Sequence, residues 1–220
     1  MNMQKNTTTI VCASELYTGD LSYCKDSRII ACDGGYDHLR NTIYTPDYTI
    51  GDMDSVSKIP DEKNIHIQPR EKDATDTAYA VEKALSFGTN TIFCIAATAG
   101  RLDHSLANLA LLAKYAHTGV RIFLIGKENC IFALSDGNVL FTGKEKGYFS
   151  VFAYSDTAHQ VSIHNALYEI ENKDLKNTVA LGVSNEFIEK RASVSVKKGT
   201  LLLVTEKLSR EALLNIAFNH

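Results

Sequence analysis

The chain has 220 residues, 45% of them hydrophobic, enough for one large globular domain or two small ones. Its formal net charge of -3, with acidic and basic residues mixed throughout, gives no long-range field to draw in a nucleic acid backbone or an anionic membrane. No apolar run reaches the length of a membrane span, so neither nucleic acid nor membrane is an expected partner. The opening MNMQKNTTTIVCAS has no apolar stretch of signal-peptide length. The five cysteines, an odd number without CxxC spacing, fit neither a disulfide framework nor a zinc ribbon. Both features argue for a cytoplasmic protein. Cys12, Cys32 and Cys94 sit inside apolar runs and read as core, and His159 and His164 lack the i, i+4 spacing of helical metal ligands.

Up to about Gly126, short β-rich runs (TTTIVCAS, RIIACDG, YTIGD, NIHIQP, TIFCIAA, VRIFLIG) alternate with helically spaced segments. The spacing predicts a helix over Thr75 to Phe87, with Ala74, Ala78, Val81 and Leu85 on one face. A second is predicted over His104 to His117, with Leu106, Leu109, Ala110 and Ala113 on one face. Gly88 and Gly119 would close them. The alternation implies right-handed crossovers and a mostly parallel α/β sheet covered on both faces. Beyond Gly126 the runs NVLFTG, YFSVFAYS, QVSIHNA, SVSVKKG and TLLLVTE read as antiparallel β structure, and SREALLNIAFNH as a short helix from Ser209. Two domains are expected, 1–130 and 131–220, with the boundary in the stretch 126–140.

In open α/β sheets ligands bind beyond the carboxyl ends of the strands. Acidic residues fall there in four successive segments: Asp33 in "IIACDGG", Asp52 and Asp54 in "IGDMDS", Asp73 and Asp76 in "EKDATDT", and Asp103 in "AGRLDHS". Singly, each has an ordinary explanation. Asp73, with Asp76 three residues on, and Asp103 are placed to cap helices, and Asp33, Asp52 and Asp54 suit turns. Jointly they crowd like charges on one rim, which repel unless a cation joins them. Oxygen-only donors point to a hard cation such as Mg²⁺, which commonly takes a few carboxylates together with substrate phosphates. Gly34 and Gly35 would allow close backbone approach to a phosphate, helix N-termini near Thr75 and His104 offer N–H groups, and Arg70, Lys72 and Arg101 offer positive charge. For Arg70 and Lys72 a solvated surface position explains the charge equally well. No Walker motif and no GxGxxG occurs, which disfavours P-loop and dinucleotide-binding enzymes.

The ordered series "DGG", "GDMDS", "KDATDT", "GRLDH" and "VSNEF" resembles that of the thiamine pyrophosphokinase (thiamine diphosphokinase) family over nearly the whole chain. The resemblance implies diphosphoryl transfer from ATP to the hydroxyl of thiamine, giving thiamine diphosphate and AMP. It implies an N-terminal mostly parallel α/β domain followed by a C-terminal antiparallel β-sandwich domain, Mg²⁺ as cofactor and a homodimer with the thiamine site at its interface. It implies metal ligation by Asp52, Asp54 and Asp76, with Asp33 and Asp73 close enough to bind directly or through water. Thr75 and Arg101 would contact the triphosphate, Asp103 would lie near the acceptor hydroxyl, and Asp103 or Asp76 would serve as general base. Ser184 and Asn185 would bind the aminopyrimidine edge of thiamine, against a plain β-turn as the other reading. Two departures stand out: Ala99 replaces a common glycine, and with no Trp in the chain, Tyr154, Phe187 or Leu203 is left to pack on the pyrimidine. The competing readings are a metal-dependent phosphohydrolase and a non-catalytic thiamine- or nucleotide-binding protein.

Overall fold

The computed structural model describes residues 6–17, 19–51, 65–67 and 75–219. They group into two compact units, 1–111 with 122–127, and 112–121 with 128–220. The division is not one cut in the chain, because the end of the third helix groups with the second unit. Among the described residues, no helix is long and apolar enough to cross a membrane.

The first unit is the α/β part. Its strands are β1 (Thr7–Val11), β2 (Arg28–Cys32), β3 (Tyr48–Gly51), β4 (Ile65–Ile67), β5 (Thr91–Ile95) and β6 (Arg121–Ile125), in the sheet order β6-β5-β1-β2-β3-β4. The pairs β5-β1, β1-β2, β2-β3 and β3-β4 are all parallel. Every residue of β5 is buried, as expected for a strand covered on both faces. Tyr23, Phe93 and Phe123 form an aromatic column in this core, with centroids 5.4 and 5.6 Å apart. The chain lays β2, β3 and β4 to one side of β1, then returns to place β5 on the other. That reversal is a topological switch point, where the turns after β1 and β5 diverge and leave a crevice.

Three helices follow strands of this sheet: α1 (Gly35–Leu39), α2 (Asp76–Ser86) and α3 (Leu102–Tyr115). The buried face of α2 is Thr77, Ala80, Val81 and Ala84. Of the expected face only Val81 belongs to it; Ala78 and Leu85 are half-buried, and Ala74 lies outside the described residues. In α3 the buried positions are Asn108, Leu111 and Leu112, with Ala116 buried just beyond its end, while Leu102 and Leu106 stand exposed. Both faces are displaced because a polar residue, Thr77 or Asn108, points inward and finds a hydrogen-bond partner there.

The second unit is antiparallel: β7 (Asn129–Leu140), β8 (Tyr148–Ala153), β9 (Thr157–His164), β10 (Ile170–Lys176), β11 (Gly182–Glu186), β12 (Ser193–Glu206), α4 (Arg210–Asn215) and β13 (Ala217–Asn219). SVSVKKG and TLLLVTE are one strand. Its first half pairs with β9 and its second with β8, with a register shift between Val196 and Thr200 where the two leaves part. Phe187 stacks on Phe149 at 4.6 Å and meets Phe141 edge-on at 4.9 Å, closing the core between β8 and β11. As expected, Ser209 caps α4, its hydroxyl accepting from Ala212 N at 3.2 Å.

Gly35, at the first turn of α1, packs directly on the end of β1. A Cβ there would overlap the carbonyl oxygen of Val11 and sit 3.0 Å from that of Cys12. Gly35→Ala is therefore expected to lower stability by about 1–3 kcal/mol through backbone overpacking, read as a lower urea midpoint. An unchanged midpoint would remove this account of the second glycine in "DGG".

Candidate active site

The carboxyl ends of β2 and β3 meet at one point. Asp33 directly follows β2 with φ 44°, in the left-handed region that Asp tolerates better than most residues, and its N–H donates to Ile50 O at 3.0 Å. Its carboxylate lies across Gly51, where a Cβ would overlap Asp33 Oδ1. Gly51 has φ 150°, so glycine is required there by both conformation and space. Gly34, at φ -56°, has ordinary helical geometry that other residues adopt, and the packing demand falls on Gly35, against the end of β1.

The N-terminus of α2 sits beside this turn. Thr75 is its N-cap, accepting from Ala78 N at 3.2 Å, and Asp76 occupies the first turn, where a carboxylate complements the positive end of the helix. The expectation that Asp73 caps this helix is thereby corrected, since the Thr75 hydroxyl fills that place. Cys32 Sγ donates to Asp76 O at 3.7 Å, tying the end of β2 to the start of α2. Asp52, Asp54, Arg70, Lys72 and Asp73 lie outside the described residues. Among the described residues, no three His, Cys, Asp or Glu side chains gather to hold a metal.

The donor chemistry at this turn nonetheless suits a hard cation. Asp33 brings carboxylate oxygen to the end of β2, and the thiol beside it is withdrawn from ligation. Cys32 is buried and spends its proton on Asp76 O, and its surroundings, Cys12 first and burial next, push the thiol well above its ordinary range.

Arg101 and Asp103 flank the start of α3. Their side chains form a two-point ion pair, Arg101 Nη2 to Asp103 Oδ2 at 2.6 Å and Nε to Oδ1 at 3.2 Å. Both are largely exposed, at 72% and 62% of the side chain. The Arg101 guanidinium hydrogen bonds hold the Asp103 carboxyl below the usual carboxylate range, and Asp103 in turn raises Arg101. Asp103 lies within the first turn of α3 rather than before it, so it is not the residue preceding the helix that a cap would be. Ala99 is not among the positive-φ residues, whereas Gly100 has φ 78°, so the replacement of a glycine at 99 carries no backbone strain.

In the second unit Ser184 and Asn185 lie on β11. Ser184 is exposed with φ 59°, and its N–H donates to Ser150 Oγ at 3.1 Å. Asn185 is 3% exposed and its amide is committed: Nδ2 donates to Tyr168 O at 2.6 Å, while Oδ1 accepts from Tyr168 N at 3.0 Å and Glu186 N at 2.9 Å. This clip holds Tyr168, an exposed aromatic that the sequence reading passed over, on the wall of a cavity of about 440 Å³ shared with Leu181, Val183 and Asn185. The nearest sequence signal was the aromatic inside the polar run "NALYEIEN". Of the aromatic and aliphatic candidates, Phe187 and Leu203 are core residues and unavailable to a ligand, whereas Tyr154 is exposed.

Two family descriptions match this chain. "Thiamin pyrophosphokinase, catalytic domain" covers residues 21–124, and "Thiamin pyrophosphokinase, vitamin B1 binding domain" covers residues 138–201. A thiamine pyrophosphokinase of Bacillus subtilis is 30% identical over 182 residues, 80% of this chain and 85% of that protein. Thiamin pyrophosphokinase 1 of Caenorhabditis elegans is 24% identical over 175 residues, 71% of this chain and 70% of that protein. The crystal structure of the Bacillus subtilis enzyme superposes with a TM-score of 0.82 at 28% identity, covering 92% of this chain and 99% of the other. The fold is that of a two-domain transferase of the kinase class, with an N-terminal catalytic α/β domain and a C-terminal β-rich domain. The chain belongs to the thiamin pyrophosphokinase family.

Because its pKa is depressed in the folded state, Asp103 favours folding above its unfolded pKa, and this is lost as pH falls through the lowered folded value. Carboxyl-carbon NMR titration of the ligand-free protein is expected to place the Asp103 midpoint below the ordinary aspartate value, and Arg101→Gln to raise it. A midpoint indifferent to Arg101→Gln would mean the pair does not persist in solution.

Proposed function

We infer that the chain is a thiamine diphosphokinase, an ATP:thiamine diphosphotransferase that gives thiamine diphosphate and AMP. The observation that carries this reading is the pairing, on one chain, of a thiamin pyrophosphokinase catalytic domain with a vitamin B1 binding domain. We further propose that Asp52, Asp54, Asp73 and Asp76 hold Mg²⁺, with Asp33 beside them, in a cytoplasmic enzyme. What supports this is the oxygen-only donor set, with Asp33 leaning over Gly51 and Asp76 opening α2. Bound there, Mg²⁺ would neutralise charge on the triphosphate.

The remaining roles belong to the chain itself. Thr75, Lys72 and Arg101, together with the backbone at Gly34 and Gly35, receive the triphosphate. The hydroxyl oxygen of thiamine attacks the β-phosphorus in line, the bond from that phosphorus to the α,β-bridging oxygen breaks, and AMP leaves with that oxygen. Asp103, near the acceptor hydroxyl, or Asp76 takes the released proton. Ser184 faces the aminopyrimidine, while Asn185 shapes that surface by holding Tyr168. The homodimer reading is supported by exposed apolar side chains on the paired strands β8 and β11, Tyr148, Phe152 and Val183, and just beyond them, Tyr154 and Ile188. A monomer-sized species in sedimentation velocity would remove it.

Incubation with Mg²⁺, ATP and thiamine is expected to yield AMP in step with thiamine diphosphate. Release of ADP or free phosphate, indifferent to thiamine, would favour a phosphohydrolase. Asp54→Asn is expected to abolish most turnover while leaving the far-UV circular dichroism intact, and unchanged turnover would exclude Asp54 from the metal site. Ser184→Ala is expected to raise KM for thiamine several-fold with KM for ATP within twofold; equal shifts would take Ser184 out of the thiamine site.

A further inference from the structure

The loop between β5 and α3 runs from Ala96 to Arg101 and lies at the switch point, facing the turn that follows β1. Its conformation is not one that its own sequence favours. Ala96, a residue with a Cβ, has φ 54°, and Gly100 has φ 78°. Three of its carbonyls are held by two residues outside it. Ser14, beyond the end of β1, donates from its N–H to Ala96 O at 3.2 Å and from its hydroxyl to Ala99 O at 2.7 Å. Asn108, 4% exposed on α3, donates from Nδ2 to Ala97 O at 2.8 Å. Ser14 is anchored in turn by His38 of α1, whose Nε2 lies 2.7 Å from Ser14 O.

We propose that Ser14 and Asn108 are positioning residues that clamp this loop from opposite sides and so aim Arg101 at the incoming triphosphate. Arg101 needs such an anchor. Its side chain is 72% exposed, so the direction of the guanidinium is set by the backbone that carries it and by Asp103. The clamp fixes that backbone at Ala96, Ala97 and Ala99, immediately upstream. The choice of residues agrees with this role: an apolar side chain at 108 would fill a buried helix position without the desolvation cost of an amide, but would leave Ala97 O unpaired. The inference rests on the reading of Arg101 as a phosphate-binding residue, and it does not depend on thiamine being the acceptor.

The test is a double-mutant cycle read by calorimetric titration of the full-length protein with MgATP in the absence of thiamine. Ser14→Ala and Asn108→Ala are each expected to weaken MgATP binding roughly tenfold in the otherwise unchanged protein, and by less than twofold in an Arg101→Ala background. Ser14→Thr, which keeps the hydroxyl, is expected to bind within threefold of the unsubstituted protein. If Ser14→Ala weakens binding equally with and without Arg101, or lowers only the unfolding midpoint, the clamp is structural and the proposal falls. Should Asn108→Ala fail to fold, the half-buried Ser14 variants carry the cycle alone. Thiamine-dependent AMP formation is measured separately on the unsubstituted protein. Its absence, with the Ser14–Arg101 coupling intact, would overturn the acceptor and leave the clamp standing.

Discussion

The site-bearing turns of the N-terminal unit depend on the main-chain pairing of β1 with its two parallel neighbours. Cys12 N donates to Ile95 O at 3.0 Å and Ser14 N to Ala96 O at 3.2 Å, so the register of β5 carries on past the end of both strands. On the other side, Val11 lies opposite Ala31, which brings Cys12 level with Cys32 and starts the Asp33 turn at the same height. Asp33 N in turn donates to Ile50 O at 3.0 Å, aligning the end of β3. A one-residue slip would exchange the two packed faces of each strand and break the fit of the core, so packing fixes the register. The level of the Asp33 turn, of Gly51 and of Ser14 is thus a consequence of register: residues far apart in sequence stand together because their strands do.

Two of the acidic residues that follow these strands have their charge balanced within the chain. Asp103 is neutralised within the chain by Arg101, whose two-point contact holds the carboxylate ionised. Asp76 sits in the first turn of α2, where the unpaired N–H groups of the helix favour negative charge. On the proposed reading the rest of the rim is answered by Mg²⁺, so metal affinity and folding stability would be linked.

The parts of the fold legible in the sequence are those where burial dominates. The run TIFCI, buried throughout, could only be a strand covered on both sides, and alternation in SVSV marked a half-exposed one. Legibility failed where a polar residue does structural work. Thr77 and Asn108 face inward, each bonded to a partner outside its own helix, so helical faces drawn from apolar residues alone came out one position away in α2 and two in α3. The run IENKDLK of β10 hides its strand because only Leu175 is buried, and its pairing with β9 is interrupted by register shifts. At the site, the acidic segments and the second-domain motif stood out as composition and order. Asn185 was recognisable as a polar turn residue, but its partner Tyr168 is seventeen positions away, and nothing local announces a side-chain clip to a distant backbone.

The exposure of the Arg101–Asp103 pair bears on how such a site can work. A buried pair is costly to break, because separating its members leaves an uncompensated charge in a medium that cannot solvate it. An exposed pair contributes little to stability, and for the same reason costs little to open. On the proposed reading, with both side chains largely in solvent, Arg101 would exchange carboxylate oxygens for phosphate oxygens while water covers Asp103 during the change. The backbone beneath is the reverse case: bonds from Ser14 and Asn108, the latter buried, hold a conformation that Ala96 would not adopt alone. On that reading, a clamped loop carrying an exchangeable side-chain pair would combine fixed aim with low resistance to ligand entry, and either property without the other would slow capture of a triphosphate.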